Sequence, residues 1–150
     1  MGKNILKRID LIFKEEDDFK KVLEKALLHT NTELINEMIA SGLKGRGGAG
    51  FPTGLKWKLT SEAKSETKYV ICNADEGEPG TFKDREILTR VPYKVLTGMA
   101  LCGRIIGATQ GFIYLRHEYK YLVKELNKEI DRFHTVLDEL GLDFRVKIFL

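Results

Sequence analysis

The length, composition and charge of this chain are those of one globular domain. Its 150 residues, 43% hydrophobic and 31% charged, are sufficient to bury a hydrophobic core. A formal net charge of +3 is too small to indicate a protein that binds nucleic acid. The apolar runs are too short to predict insertion into a membrane, and the first residues lack the apolar stretch of a signal peptide. Cys72 and Cys102 form neither a CxxC pair nor a metal-binding spacing, so a reducing, cytoplasmic location is expected.

Two helices are predicted in the N-terminal part of the chain. The first begins near Asp17 or Asp18, and the apolar residues that share one of its faces are Phe19, Val22, Leu23, Ala26 and Leu27. The second begins at Thr30, where Glu33 is spaced to complete a capping box, and it ends at Gly42.

A glycine-rich segment, Gly42–Trp57, follows the second helix. Six of the 14 glycines fall in its first 13 residues, and glycine allows the backbone to approach a ligand closely. Its three cations are Lys44, Arg46 and Lys56. Exposed backbone N–H groups beside cations are suited to a phosphate-bearing cofactor, and the side chains of Phe51 and Trp57 are suited to stacking on a planar ring.

Two common phosphate-binding motifs do not account for this segment. Gly45–Gly50 matches the string GxGxxG, but a predicted helix precedes it, whereas a dinucleotide-binding fingerprint follows a strand. Phe51 stands where a P-loop carries lysine. The remaining alternative is a flexible linker, although linkers favour serine and glycine over arginine, phenylalanine, proline and tryptophan.

The rest of the chain alternates between helices and strands. In chain order the predicted elements are a helix capped by Thr53 and running to about Leu59, a strand at Tyr69–Cys72, a helix at Pro92–Ile106, a strand at Gly111–Leu115, a helix from about Glu118 to Leu140, and a strand containing Phe144, Val146 and Ile148. From Tyr69 onward this order is typical of a right-handed βαβαβ unit with a parallel sheet. The fold class is therefore α/β, with N-terminal helices at residues 1–41 and a parallel-sheet domain at residues 42–150.

A polar segment, Asn73–Glu78, follows the first predicted strand. In parallel α/β sheets, ligands bind beyond the carboxyl ends of the strands, where this segment lies. A metal site there would need further oxygen ligands and a different spacing, whereas a solvated turn would need no ligand. The third alternative is a site for ribose or ribityl hydroxyls, because carboxylates accept hydrogen bonds from them and Asn73 offers both a donor and an acceptor.

The other polar groups indicate no catalytic site. Lys83–Glu86 is predicted to be a helix surface with local ion pairs. The three histidines are isolated in the sequence from partners that would make them metal ligands or catalytic bases. Lys120, Lys124 and Lys128 are spaced to share one helix face, which is either solvated or a surface for a partner.

Two long motifs in this order resemble one family closely. They are Gly42–Trp57 and Cys72–Arg85, and together they resemble the NADH-binding flavoprotein subunit of respiratory complex I. The same pattern is found in the diaphorase subunits of NAD-dependent and electron-bifurcating hydrogenases and of formate dehydrogenases. The resemblance continues more weakly through Tyr114–Tyr119 and covers most of the chain from about Phe19. It implies a Rossmann-like fold on which FMN takes a hydride from NADH, after which electrons leave singly through iron–sulfur clusters.

The resemblance also implies roles for individual residues. The residues implied to contact the FMN phosphate and ring are Gly45, Arg46, Gly47 and Lys56. Those implied to hold the ribityl chain and the isoalloxazine are Asn73, Asp75 and Glu76. Those implied to contact NADH are Gly48, Ala49, Phe51 and Glu78. No side chain is given a catalytic or metal-binding role, because hydride transfer from NADH to a flavin depends on the positioning of two rings.

Only the N-terminal part of such a subunit is covered by the resemblance. The family's later glycine- and glutamate-containing loop, its ubiquitin-like domain and its cysteine ligands for a 4Fe–4S cluster have no counterpart in this sequence. We therefore expect an incomplete Rossmann-like domain, from an N-terminal fragment or a split gene, whose binding of FMN alone is reduced or absent. The implied function is the FMN- and NADH-binding portion of an NADH:acceptor oxidoreductase. The expected partners are NADH and the iron–sulfur subunits of a multi-subunit complex in the cytoplasm or at the membrane periphery.

Two alternatives remain open at this point. One is a truncated, non-catalytic nucleotide-binding or subunit-assembly module on the same fold, which flavin absorbance after purification would distinguish from an enzyme. The other is a fragment that binds no ligand and whose glycine-rich segment is disordered.

Overall fold

The computed structural model describes residues 12–13 and 18–150, in which helices alternate with three strands. In chain order the elements are α1 (Phe19–Leu27), α2 (Asn31–Ala40), α3 (Thr53–Glu62), β1 (Tyr69–Ala74), α4 (Lys83–Arg90), α5 (Pro92–Ile106), β2 (Gln110–Leu115), a 3-10 helix (His117–Leu122), α6 (Val123–Glu139) and β3 (Arg145–Phe149). The three strands form one parallel sheet in the order β1-β2-β3, with Ile71 opposite Phe112 and Phe112 opposite Lys147. The predicted α/β fold class and parallel sheet are confirmed.

The two N-terminal helices begin where local side-chain signals predict. The Asp18 carboxylate accepts hydrogen bonds from two backbone N–H groups in the first turn of α1, while Asp17 lies outside the described residues. At α2 the capping box is complete, because the Thr30 hydroxyl accepts from the Glu33 backbone N–H at 3.2 Å and the Glu33 carboxylate accepts from the Thr30 N–H at 2.7 Å. Gly42 follows the helix in the left-handed conformation, as predicted.

The predicted cap of α3 is wrong. Thr53 is the first helical residue rather than the cap, which is Pro52, and no side chain caps this helix. The Thr53 N–H instead donates to the Leu43 carbonyl at 2.9 Å, so this residue closes the base of the glycine-rich segment. Gly54, one residue later, lies against α2: a Cβ at this position would come within 2.6 Å of the Ile39 backbone nitrogen.

Two later boundaries also differ from the sequence prediction. β1 continues through Asn73 and Ala74, because both residues pair with the end of β2, and the loop therefore begins at Asp75. α6 begins at Val123 instead of Glu118, since a 3-10 helix occupies the preceding six residues. α5 has the predicted bounds, and α4 forms the predicted helix that contains Lys83–Glu86.

One hydrophobic core joins the sheet to the helices. Its largest fully buried side chains are Phe133, Leu23, Leu96, Ile113, Leu115 and Leu137. Leu23 of α1 and Ile35 of α2 belong to the same cluster of buried residues as the strands, so the N-terminal helices pack onto α5 beside the sheet. The division into residues 1–41 and 42–150 stays a prediction.

The face of the sheet away from the core is open, and it carries a cluster of aromatic and aliphatic side chains beside the polar Asn73, Gln110, Arg145 and Lys147. The exposed side chains on it include Tyr69, Ile71, Tyr114 and Phe149. The ring of Phe112 lies between those of Tyr69 and Phe149, with centroid distances of 5.6 and 5.2 Å. Parallel sheets are ordinarily covered on both faces, so this face has room for a further layer. In the described part of the chain, no helix has the length and apolar character that a membrane crossing requires.

Candidate functional site

The acidic loop, residues 75–80, lies at the carboxyl edge of the sheet. It follows β1 directly, and the Arg116 backbone N–H extends the β1–β2 pairing by donating to the Ala74 carbonyl at 3.1 Å. The loop is therefore next to the segment that follows β2, which contains Arg116 and Tyr119. Ligands of parallel α/β sheets bind at this edge, because the strands end there in connecting loops.

Within the acidic loop the side chain of Glu76 is buried, with 2% of it exposed. One carboxylate oxygen, Oε1, accepts from the Asp84 backbone N–H at 3.2 Å and lies 3.7 Å from Lys83 Nζ. The other oxygen, Oε2, accepts from the Tyr119 hydroxyl at 3.1 Å. A buried carboxylate is tolerated when charged or polar donors surround it, and here both oxygens have donors.

These contacts determine the protonation of Glu76. Burial raises the pKa of this carboxyl, but the hydrogen bonds from the Asp84 backbone and the Tyr119 hydroxyl, together with the charge of Lys83, bring it below its ordinary value. Glu76 is therefore ionised at neutral pH and acts only as a hydrogen-bond acceptor. Burial, together with the hydrogen bond between Tyr119 and Glu76, raises the pKa of Tyr119. Its hydroxyl therefore stays protonated and donates to the carboxylate.

The guanidinium of Arg116 is hydrogen-bonded to the main chain of Glu76. One of its nitrogens, Nη1, donates to the Glu76 backbone carbonyl, and Nη2 donates to the Glu118 carboxylate at 2.6 Å. The side chain and the main chain of Glu76 are thus both attached to the segment after β2.

The polar residues beside Glu76 face solvent. Asp75 and Glu78 of the acidic loop and Asn73 near the end of β1 are exposed, and the Asn73 side-chain oxygen accepts from the Asp75 backbone N–H at 3.1 Å. Among the described residues no hydrogen bond engages the carboxylate of Asp75 or Glu78. These two carboxylates are therefore free to accept hydrogen bonds from a ligand's hydroxyl groups.

The glycine-rich loop, residues 45–51, is closed at its base by backbone contacts. Lys44 and Pro52 form an antiparallel bridge, and the Gly45 N–H donates to the Phe51 carbonyl at 2.9 Å. Gly48 and Gly50 have φ angles of +105° and +62°, which L-residues rarely adopt, and a Cβ at either would meet nothing within 4 Å. The tip of the loop is therefore open backbone.

Most side chains predicted to bind at this loop are exposed. Exposed members of the predicted set in and after the loop are Arg46, Gly47, Gly48, Ala49, Phe51 and Lys56. Trp57 differs, because its indole packs against the hydrophobic core and lines a cavity of about 380 Å³ between α1, α2, α3 and α5. None of the predicted site residues lines that cavity. Of the two aromatic side chains suited to ring stacking, Phe51 is the accessible one.

The structure groups the predicted residues into two clusters. Asn73, Asp75, Glu76 and Glu78 are together at the sheet edge, whereas the residues from Gly45 to Lys56 are held around the glycine-rich loop. No hydrogen bond or ion pair joins one cluster to the other within the described ranges. In residues 12–13 and 18–150, no group of histidine, cysteine and acidic side chains is arranged to hold a metal ion.

Sequence reasoning missed two residues of the site, Arg116 and Tyr119. Both lie in the part that resembles the family weakly, and neither received a role. The available signal was their position directly after β2, since residues following neighbouring parallel strands meet at the same sheet edge.

The two clusters offer charged and hydrogen-bonding groups that fit FMN. The glycine-rich loop offers open backbone beside exposed cations, Arg46 and Lys56, which suits a phosphate. The acidic loop offers two carboxylates that accept no hydrogen bond from the residues described, and these suit the hydroxyls of a ribityl chain.

Comparison with known proteins gives a family match across both clusters. The family model described as the Nuo51 FMN-binding domain matches residues 38–148. The alpha subunit of the NAD-reducing hydrogenase HoxS from Cupriavidus necator is 43% identical over 152 aligned residues, covering 97% of this chain and 25% of that protein. The mitochondrial NADH dehydrogenase (ubiquinone) flavoprotein 1 of Dictyostelium discoideum is 49% identical over 100 residues, covering 65% of this chain and 21% of that protein.

A solved structure has the same fold. A chain in the crystal structure of an NAD+-reducing NiFe hydrogenase in the H2-reduced state superposes with a TM-score of 0.84 at 37% sequence identity, over 94% of this chain and 25% of that one. The chain therefore spans about a quarter of the length of these relatives.

Proposed function

The chain belongs to the family of the Nuo51 FMN-binding domain, and on this basis we propose that it is the N-terminal, FMN- and NADH-binding portion of an NADH:acceptor oxidoreductase. The observation that carries the proposal is the family match, which includes both the glycine-rich loop and the acidic loop. The exposure of both loops supports it, since within the described residues no hydrogen bond engages the side chains of Arg46 and Lys56 or the carboxylates of Asp75 and Glu78.

The proposed contacts divide between the loops. The groups proposed to bind the FMN phosphate and ring are Gly45, Arg46, Gly47 and Lys56. The groups proposed for the ribityl chain and isoalloxazine are Asn73 and Asp75, together with Glu76, whose role is refined below. The groups proposed for NADH are Gly48, Ala49, Phe51 and Glu78.

The contribution of the chain to the reaction is positioning. Bound FMN supplies the chemistry of accepting a hydride and releasing electrons singly. The open backbone of the glycine-rich loop allows planar rings to lie close to the main chain, and its cations compensate phosphate charge. By holding the two ligands in one orientation, these residues would lower the entropy cost of bringing the reacting groups together.

The proposal extends to the partners and the cellular location of the protein, for which the names of its relatives are the support. The relatives are named as a subunit of an NAD-reducing hydrogenase and as an NADH dehydrogenase flavoprotein. We expect this portion to act with iron–sulfur subunits of a multi-subunit complex, in the cytoplasm or peripheral to a membrane. The 4Fe–4S cluster of the family belongs to segments outside these residues.

A direct test is titration of the purified chain with FMN, followed by quenching of flavin fluorescence. We expect saturable binding that the Asp75→Ala variant weakens at least about tenfold, because a charged acceptor to a ribityl hydroxyl is lost. The matched control is Asp143→Ala, an exposed aspartate before β3. Equal affinities of both variants and the unchanged chain, or no saturable binding, would contradict the proposal.

A second candidate function, a subunit-assembly module without turnover, is favoured by the open aromatic face of the sheet, which includes Tyr69, Phe112 and Phe149. The discriminating measurement is reduction of ferricyanide by NADH after loading with FMN. Flavin-dependent turnover favours the oxidoreductase, whereas NADH binding without turnover favours the module.

A further inference from the structure

We propose that Tyr119 and Arg116 are positioning residues that hold the acidic loop, with Glu76 as the loop's buried anchor instead of a direct FMN contact. In this arrangement the attached loop presents Asp75 and Glu78 to the cofactor. The inference rests on the proposed function for the identity of the ligand, but the anchoring itself is a property of the chain.

The first step is the occupancy of the Glu76 carboxylate. Oε1 accepts from the Asp84 N–H at 3.2 Å, and Oε2 accepts from the Tyr119 hydroxyl at 3.1 Å. The side chain is 2% exposed, so a ligand reaches neither oxygen without displacing protein. Glu76 is thus engaged by the protein itself, in contrast to the exposed carboxylates of Asp75 and Glu78.

The second step is the double attachment of one residue. Arg116 Nη1 donates to the Glu76 carbonyl while Tyr119 donates to its carboxylate, and the two donors are three residues apart in the chain. An attachment at the main chain and another at the side chain together limit rotation of the loop around Glu76. The flanking residues then keep their outward direction.

The third step is the energetic character of the anchor. A buried ion with its partners is weak support for stability, because an apolar side chain of similar volume often packs as well. What the buried carboxylate contributes is a single conformation of the loop. Both of its oxygens have hydrogen-bond donors only when the Asp84 N–H and the Tyr119 hydroxyl lie in the observed positions around Glu76. The loop that it specifies is the one that carries the two open carboxylates.

The test compares two tyrosine side chains, Tyr119 and Tyr121, which differ in whether the hydroxyl makes a hydrogen bond. Tyr119→Phe removes the donor to Glu76 and keeps the ring. Tyr121→Phe is the matched control, because the Tyr121 side chain is 61% exposed and its hydroxyl makes no hydrogen bond in the described part of the chain. Arg116→Lys is a second variant, which keeps the charge but loses the two-sided guanidinium contact.

Two readouts separate positioning from a merely structural role. The first is hydrogen–deuterium exchange of the backbone amides of residues 75–84 without ligand, which we expect to accelerate in Tyr119→Phe and Arg116→Lys only. The second is FMN affinity, which we expect to fall about tenfold in those two variants and to be unchanged in Tyr121→Phe. Thermal melting of each variant establishes that the fold is retained.

The outcomes are distinct. Faster exchange together with weaker FMN binding supports the inference. Faster exchange with the affinity of the unchanged chain overturns it, as does unchanged exchange in both variants. If the unchanged chain fails to bind FMN, the proposed function and the presentation of Asp75 and Glu78 to FMN both fail, and the exchange experiment alone then decides whether Tyr119 and Arg116 anchor the loop.

Discussion

The two loops of the candidate site are held by different means. The glycine-rich loop is attached at its base by backbone bonds, such as that from the Gly45 N–H to the Phe51 carbonyl, and no side chain in the described part of the protein hydrogen-bonds its tip. The acidic loop is attached through the buried carboxylate of Glu76 to Asp84 and Tyr119, which lie in other segments. The first depends on backbone conformation and the second on side-chain bonding across the fold, so they should respond to different substitutions.

The larger loss of unfolding free energy is expected from a substitution in the glycine-rich loop, Gly48→Ala. The φ angle of Gly48 is +105°, and a side chain in such a conformation costs about 1–2 kcal/mol of unfolding free energy. Gly47→Ala is the matched control, because Gly47 has no positive φ and a Cβ there would meet nothing within 4 Å. Urea unfolding monitored by circular dichroism measures both variants. Equal stabilities would show that the conformation of the loop is not set by its glycines.

A smaller loss of stability is expected when the pH is lowered, through protonation of Glu76 in the acidic loop. Its hydrogen bonds hold the pKa of Glu76 below the ordinary value despite burial, so ionised Glu76 contributes stability at pH values above about 4.5 that is lost as the pH falls through the lower, folded-state pKa. Glu76→Gln removes this titration. Unfolding free energies at several pH values below 5 should therefore fall more steeply for the unchanged chain than for the variant. Parallel profiles would contradict the account of the anchor.

The same difference explains what could be predicted from the sequence. The capping box of Thr30 and Glu33 and the helix Pro92–Ile106 were predicted correctly, because their signals lie within a few residues. The open glycine-rich loop was also evident from its composition. Its conformation is a local property of glycine, so no distant residue was needed to anticipate it.

The acidic loop could not be predicted to the same depth. Glu76 was expected to face the cofactor with its neighbours, yet its carboxylate is engaged by Tyr119, which lies 43 residues later. The sequence pattern places Asn73 in the loop, although this residue pairs within β1, and it predicts Thr53 as a cap, although Pro52 occupies that position. Each of these details depends on a contact between segments, which composition and periodicity do not report.

The central claim is that both loops belong to one FMN site, although no hydrogen bond or ion pair joins them within the described ranges. Hydrogen–deuterium exchange of the intact chain, with and without saturating FMN, tests this most directly. The account predicts that FMN slows exchange in residues 45–51 and in residues 75–80 together, with the open sheet face around Phe112 unchanged. Protection of one loop alone, or of neither, would contradict it.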